Sequence, residues 1–211
     1  MKILHTSDLH GMYRILGSIT EFDVWVDTGD FFPNETRGDR NTEPAFQNQW
    51  LLGQDIPRQL ATWLNGRPMI SVGGNHDYVS LVEALQTVGV DAHEVTPGGI
   101  EVAGLTWAGF RYVPWMAGEW NGEIHDFSEV VRLVWNTEPD ILVTHSPPAG
   151  ILDECPSHGG GISALMTALC WKPHKIQAHF FGHIHDFGGK AVNEMGILFA
   201  NGANAATVHT I

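Results

Sequence analysis

An α/β fold with a mixed or doubled sheet is what this 211-residue sequence predicts, and three observations predict it. Short runs rich in β-branched and aromatic residues recur along the chain, most of them apolar on both faces as buried strands are. Helical patterns separate several of these runs, the alternation that marks α/β proteins. Five of the runs end in polar, Gly-rich loops that carry Asp, Asn or His.

The expected strands are, in order, Lys2–Thr6, Phe22–Val26, Pro68–Val72, Ile141–Thr144 and Gln177–Phe181. A helical pattern follows the second over Ala45–Leu64, interrupted at Pro57, whose ring and missing N–H break a helix interior. Val79–Val88 reads as the next helix, Phe127–Asn136 precedes the fourth strand, and Ser163–Trp171 precedes the fifth. Ile100–Phe110 and Ala191–Ala200 break the alternation; with glycines nearby they read as antiparallel additions, which is why the sheet is expected to be mixed or doubled. No repeat, low-complexity tract or linker divides the chain, so one domain over residues 1–211 is expected.

Composition excludes several classes. At 43% hydrophobic and 17% charged residues the chain is globular in type. No apolar stretch approaches the roughly 18 residues of a membrane span. The first residues enter a strand without an apolar leader or cleavage site, and a cytoplasmic location is expected. Cys155 and Cys170, two cysteines in all, exclude a disulfide framework and are expected as free thiols. Lys and Arg number 11 against 24 acidic residues, a formal charge of −13, which disfavours binding to nucleic-acid phosphates. Twelve histidines in so acidic a chain raise the question of metals.

The loops after the five strands answer it. They read Ser7-Asp8-Leu9-His10-Gly11, Asp27-Thr28-Gly29-Asp30, Gly73-Gly74-Asn75-His76-Asp77, His145-Ser146-Pro147-Pro148 and Gly182-His183-Ile184-His185. Loops beyond the carboxyl ends of strands in open α/β sheets gather on one side and build the site. Asp8, His10, Asp30, Asn75, His145, His183 and His185 then share a rim as oxygen and nitrogen donors, with no thiolate among them. Seven donors are too many for one tetrahedral ion and suit two ions sharing a carboxylate. Asp8-x-His10 and His183-x-His185 are expected to point the same way on extended backbone. Paired ions about 3.5–4 Å apart serve in-line displacement at phosphorus by generating hydroxide and neutralising charge. His76 is the candidate general acid for the leaving oxygen, with Asp77 either orienting it or capping the helix near Val79.

Taken in order, Asp8-x-His10, Gly29-Asp30, Gly74-Asn75-His76-Asp77, His145 and Gly182-His183-x-His185 resemble the signature of the calcineurin-like metallophosphoesterases. The resemblance spans residues 8 to 185. It implies a sandwich of two mixed sheets flanked by helices. It also implies one ion held by Asp8, His10, Asp30 and His185 and a second held by Asp30, Asn75, His145 and His183, with Asp30 bridging. The implied chemistry is attack by a metal-bridging hydroxide. Manganese is the favoured metal, with Fe, Zn, Co or Ni as alternatives.

Departures narrow the subgroup. Gly29-Asp30 continues as Phe31-Phe32-Pro33-Asn34 and the residue after Asn75-His76 is Asp77, unlike the protein serine/threonine phosphatases. Leu9 stands where double-strand-break repair nucleases usually carry Trp. Thr144-His145-Ser146-Pro147-Pro148, His158-Gly159-Gly160 and Phe181-Gly182-His183-Ile184-His185 are more similar to the small metallophosphoesterase-domain phosphodiesterases, which resemble class III cyclic nucleotide phosphodiesterases. The expected substrate is therefore a small phosphodiester, with a nucleotide as one candidate. A nuclease or phosphomonoesterase on the same site, and a metal-stabilised protein-binding scaffold, are the alternatives. Asn75, His158 and Arg111 are the expected substrate contacts. Trp107, Trp115 and Trp120 form an aromatic segment that either walls the site or packs as a core hairpin.

Overall fold

A computed structural model describes residues 1–35, 39–154 and 160–211. Its architecture follows from period-two partition of apolar side chains. In β1 (Lys2–Ser7), β2 (Val24–Asp27) and β3 (Met69–Ser71), Leu4, Trp25 and Met69 face one side while Ile3, Val24, Val26 and Ile70 face the other. The same split runs through β9 (Ile141–Thr144) and β10 (Ala178–Phe181), where Leu142 and Phe181 oppose Ile141, Val143 and Phe180. One set from each sheet meets in a shared apolar layer that includes Ile3, Val26, Ile70, Trp107, Val143 and Phe180. The outer faces are covered by helices, so the layers run helix, sheet, sheet, helix, as the sandwich expectation has it.

The first sheet has the order β13-β1-β2-β3-β4, with β4 at Ala92–Glu94 and β13 at Ala205–Thr210. Three of its four pairings are parallel, and β13 runs antiparallel to β1 in the register Lys2↔Thr210. The second has the order β11-β12-β10-β9-β6-β5, with β5 at Ile100–Val102, β6 at Leu105–Phe110, β11 at Ala191–Glu194 and β12 at Ile197–Asn201. The two segments expected as antiparallel additions are hairpins, yet β6 and β12 each also pair parallel with the sheet, to β9 and β10. A small pair, β7 (Val113–Pro114) and β8 (Glu123–Ile124), frames the segment between β6 and the next helix.

On the first sheet lie α1 (Glu43–Gly53), α2 (Ile56–Leu64) and α3 (Leu81–Gln86), packing Leu51, Ile56, Leu60, Leu64, Leu81 and Leu85 against Leu4, Trp25 and Met69. The helix expected over Ala45–Leu64 is broken at Gln54 and Asp55, where Asp55 turns left-handed at φ +52°, and Pro57 sits in the first turn of α2. A first-turn proline loses no hydrogen bond, which explains the shift of the break. The second sheet carries α4 (Ser128–Trp135) and α5 (Ser163–Trp171), burying Val131, Val134, Leu165 and Leu169. Among the described residues no helix is long and apolar enough to cross a membrane.

Candidate metal centre

Because β1, β2 and β3 are parallel, as are β9 and β10, the loops after them emerge at one rim. Backbone pairing then stitches these loops together. Asp8 N–H donates to Gly29 O at 2.8 Å, His10 N–H to Asp30 O at 2.9 Å and Gly182 N–H to His145 O at 2.9 Å. Asp8, His10, Asp30 and His183 all adopt positive φ, 52°, 42°, 57° and 67°. The expected extended i, i+2 geometry is therefore replaced by left-handed turns at the strand ends, conformations that cost energy in non-glycine residues and cluster at functional sites. Close approach is bought with glycine: a Cβ on Gly182 would collide with Ser7 Oγ and Asp8 Oδ2, and one on Gly29 would enter the Gly74 backbone.

Two donor groups result among the described residues. One ligand atom each from Asp8, His10 and His185 lies within 4.8 Å of the others, and the same holds for Asp8, Asp30 and His145. Asp8 Oδ1 is 3.1 Å from His185 Nε2, and Asp30 Oδ2 is 3.3 Å from His145 Nε2. That same His145 nitrogen is 3.0 Å from Asn75 Oδ1, so Asn75 adjoins the second group. His183 lies beside it, its ring 5.1 Å from that of His145, while its backbone N–H donates to Asp8 Oδ2 at 2.9 Å.

Asp8, Asp30, Asn75 and His145 are buried, and no Lys or Arg among the described residues forms an ion pair with either carboxylate. Burial alone would lift both carboxyl groups. The His185 hydrogen bond and the His145 charge hold Asp8 below its ordinary value, and His145 with His76 and His10 hold Asp30 far below it. Reciprocally, burial works against a charged His145, but Asp30 and then Asp8 raise it to about 10. His185 is raised by its bond to Asp8. Such a field favours positive charge at the rim.

The donor chemistry fits divalent ions. Oxygen and imidazole ligands without thiolate suit Mn, Fe, Zn, Co or Ni. Nδ1 of His145 is 2.7 Å from Thr28 O, which can only accept, so Nδ1 keeps its proton and Nε2, facing Asp30 and Asn75, is the nitrogen that would give up its proton to ligate an ion.

His76 stands at the edge of this cluster, its ring 5.1 Å from His10 and its Nε2 3.9 Å from Asp30 Oδ2. Burial lowers its pKa. The expectation that Asp77 orients His76 or caps a helix does not match the bonds found. Asp77 Oδ2 accepts from Asp30 N–H at 2.7 Å and Gly74 N–H at 2.8 Å, and Oδ1 accepts from Phe32 N–H at 3.2 Å. Burial and the nearby Asp30 charge raise that carboxyl to about 6. The cap of α3 is Ser80, whose side chain accepts from Glu83 N–H at 3.1 Å. The partner of His76 Nδ1 is Asn34 Oδ1, at 2.6 Å. Sequence reading passed over Asn34; its amide, four residues beyond Asp30 in the same loop, was the available signal.

Arg111, expected on a substrate phosphate, donates from Nη2 to the backbone carbonyls of Gly74 and Asp77. It lines a cavity of about 670 Å³ with Asp27, Ser71, Gly73 and Asp77, and none of the seven candidate ligands lines that cavity. His158 lies outside the described residues, as does Cys155; Cys170 is a free, exposed thiol. Of the aromatic segment, Trp107 is core, Trp115 stacks on His125, and Trp120 packs 4.2 Å from the His76 ring.

The family description "calcineurin-like phosphoesterase" matches residues 1–187. Metallophosphoesterase domain-containing protein 1 of Homo sapiens is 33% identical over 99 residues, which cover 44% of this chain and 28% of that protein. A UPF0046 protein of Caenorhabditis elegans is 22% identical over 204 residues, covering 92% of this chain and 66% of that one. The chain thus spans under two thirds of the length of each. Among solved structures, the sulfate thiohydrolase SoxB of Thermus thermophilus, in complex with glycerol, aligns with a TM-score of 0.42 at 14% identity, covering 93% of this chain and 37% of that chain. With a family match over residues 1–187 and the ordered Asp, Asn and His residues assembled at one rim, the chain belongs to the calcineurin-like phosphoesterase family.

Proposed function

We propose that this metal-dependent phosphoesterase hydrolyses small phosphodiesters, cyclic nucleotides among them, with two divalent ions, manganese favoured. The observation that carries the reading is the placement of His76 at the edge of the Asp8, Asp30 and His145 cluster, with its Nε2 turned toward Asp30. Asp8, His10, Asp30 and His185 would hold one ion, and Asp30, Asn75, His145 and His183 the other. When bound, the ions supply positive charge for the phosphoryl oxygens and acidify water.

The chain's own residues do the rest. Asn34 Oδ1 accepts the Nδ1 proton of His76, so Nε2 is the nitrogen that, in the imidazolium form, delivers its proton to the departing oxygen and leaves the ring neutral. A diester releases an alkoxide that needs this proton. The −13 charge also favours a monoanionic diester over a dianionic monoester, and disfavours long nucleic acids.

The test strips the protein of metal, reloads it with Mn²⁺, and compares bis-p-nitrophenyl phosphate with p-nitrophenyl phosphate, using Asn75→Ala as the blank. Metal-dependent diester hydrolysis absent from Asn75→Ala is the expected result. Preference for the monoester replaces the diesterase reading with a phosphatase one. Turnover of neither, with metal bound, moves the reading to a binding scaffold.

A further inference from the structure

The loop Gly74–Asp77 has no regular secondary structure to satisfy its backbone, yet each of its four carbonyls is taken by a group from elsewhere in the chain. Gly74 O accepts from Arg111 Nη2 at 3.0 Å, and Asp77 O accepts from the same nitrogen at 2.8 Å. Asn121 adds two bonds: its N–H to Asn75 O at 3.1 Å and its Nδ2 to Asp77 O at 2.8 Å. Gln47 Nε2 donates to His76 O at 2.7 Å.

One guanidinium nitrogen thus ties both ends of a four-residue loop whose middle carries Asn75 and His76. Arg111 and Asn121 belong to one excursion, closed by the bonds Val113 N–H to Gly122 O and Trp115 N–H to Ile124 O. Trp120, next to Asn121, supplies the ring packed on His76. Gly73 has no side chain between the loop and the guanidinium: a Cβ there would lie 3.0 Å from Arg111 Cζ.

We infer that Arg111, with Asn121, is a positioning residue that sets Asn75 Oδ1 against His145 and aims the His76 ring, without touching substrate. This rests on the phosphoesterase reading for what Asn75 and His76 do, but not for its geometry. The first donor group, Asp8, His10 and His185, lies on other loops. Asp30, shared by the two ion sites, is tied to this loop by the bond from His76 N–H to its Oδ1 at 2.7 Å. Losing Arg111 therefore weakens the site of Asn75, His145 and His183 most and the other less, an order that general destabilisation does not produce.

The experiment titrates the metal-free protein with Mn²⁺, counting sites and affinities calorimetrically, for the parent, Arg111→Met, Arg111→Lys and Asn121→Ala. Thermal unfolding and hydrolysis of two diesters, one with p-nitrophenolate and one with an alkyl leaving group, are measured alongside. Arg111→Met is expected to weaken one Mn²⁺ site at least tenfold and the other by a clearly smaller factor. It should also slow the alkyl diester more than the p-nitrophenyl diester. Arg111→Lys, with one compact donor group, should fall between. If Arg111→Met does not fold, Arg111→Lys and Asn121→Ala carry the same test. Two unchanged sites in folded variants overturn the inference, as do equal losses at both sites or a parent that binds a single Mn²⁺. A parent that binds two Mn²⁺ but hydrolyses neither diester overturns the proposed function, while the titration still judges the positioning role.

Discussion

Asn34 Oδ1 lies 2.6 Å from His76 Nδ1, and the Asn34 amide nitrogen donates back to His76 O at 3.2 Å. A neutral amide, rather than a carboxylate, therefore holds the candidate general acid. Its charge state is left to burial and the surrounding rim.

Asn34→Ala should leave metal content unchanged and slow diesters with poor leaving groups by about tenfold to a hundredfold. His76→Ala should cost about 10²–10⁴ on them, the usual range for a positioned acid. Bis-p-nitrophenyl phosphate, whose leaving group needs no proton, should be far less affected. Asn34→Asp should raise the His76 pKa, because a neighbouring carboxylate favours imidazolium, and move the basic limb of the pH–rate profile upward. Equal rate losses on good and poor leaving groups would refute the acid role.

Asp77 gathers three backbone N–H groups, from Asp30, Phe32 and Gly74. Asp77→Ala strands them in a buried site and should destabilise the fold by about 3 kcal/mol. Urea unfolding checks this. A variant of parental stability with only a shifted pH–rate profile would restore the role of orienting His76.

Gly182→Ala drives a methyl group into Ser7 Oγ and Asp8 Oδ2. The expected cost is about 1–3 kcal/mol, typical of overpacking, together with weaker metal binding because Asp8 must move. The rise in melting temperature on adding Mn²⁺ to the parent should shrink in the variant; an undiminished rise would contradict the close fit.

Asp27 is buried, accepting from Thr6 Oγ1 at 2.9 Å. Burial, reinforced by the Asp77 charge, raises its carboxyl well above the ordinary range. The folded state then holds a proton that the unfolded state releases above about pH 4, so this contribution to stability falls as pH rises through the folded value. Asp27→Asn should be more stable than the parent at pH 7.5, by about 1 kcal/mol or more, with the gain vanishing below about pH 4. Chemical denaturation at several pH values measures the difference; a gain independent of pH would exclude this cause.

His179 behaves in the opposite sense. Thr144 Oγ1 donates to Ser146 O at 2.6 Å, so the His179 Nε2 that lies 2.7 Å from it is the donor, on a ring packed against Phe181 and Phe199. Burial lowers its pKa to about 3. The unfolded chain binds a proton there below about pH 6.5 that the folded chain refuses. This contribution is therefore whole above that pH and lost progressively toward pH 3. His179→Gln should flatten the fall in stability between about pH 6 and pH 4, and an unchanged slope would sink the assignment.

The strands beneath the site were legible because runs such as Ile141–Thr144 are apolar on both faces, which few environments other than a buried sheet accept. The donors were legible because each follows such a run. The edges were not. Ala92–Glu94 is three residues long, and Ala205–Thr210 pairs with Lys2–Ser7 from the far end of the chain, so neither announces a partner locally.

Sequence alone determined the α/β class, the ordered donor set and the family, because residue type and spacing carry metal-ligand chemistry directly. Tertiary structure decided what Asp77, Asn34 and Arg111 touch. Asp77 binds backbone N–H groups up to 47 residues away, and Arg111 binds carbonyls 34 and 37 residues away. Every residue type presents nearly the same backbone groups, so such partners leave no mark in the sequence and exist only once the loops have met.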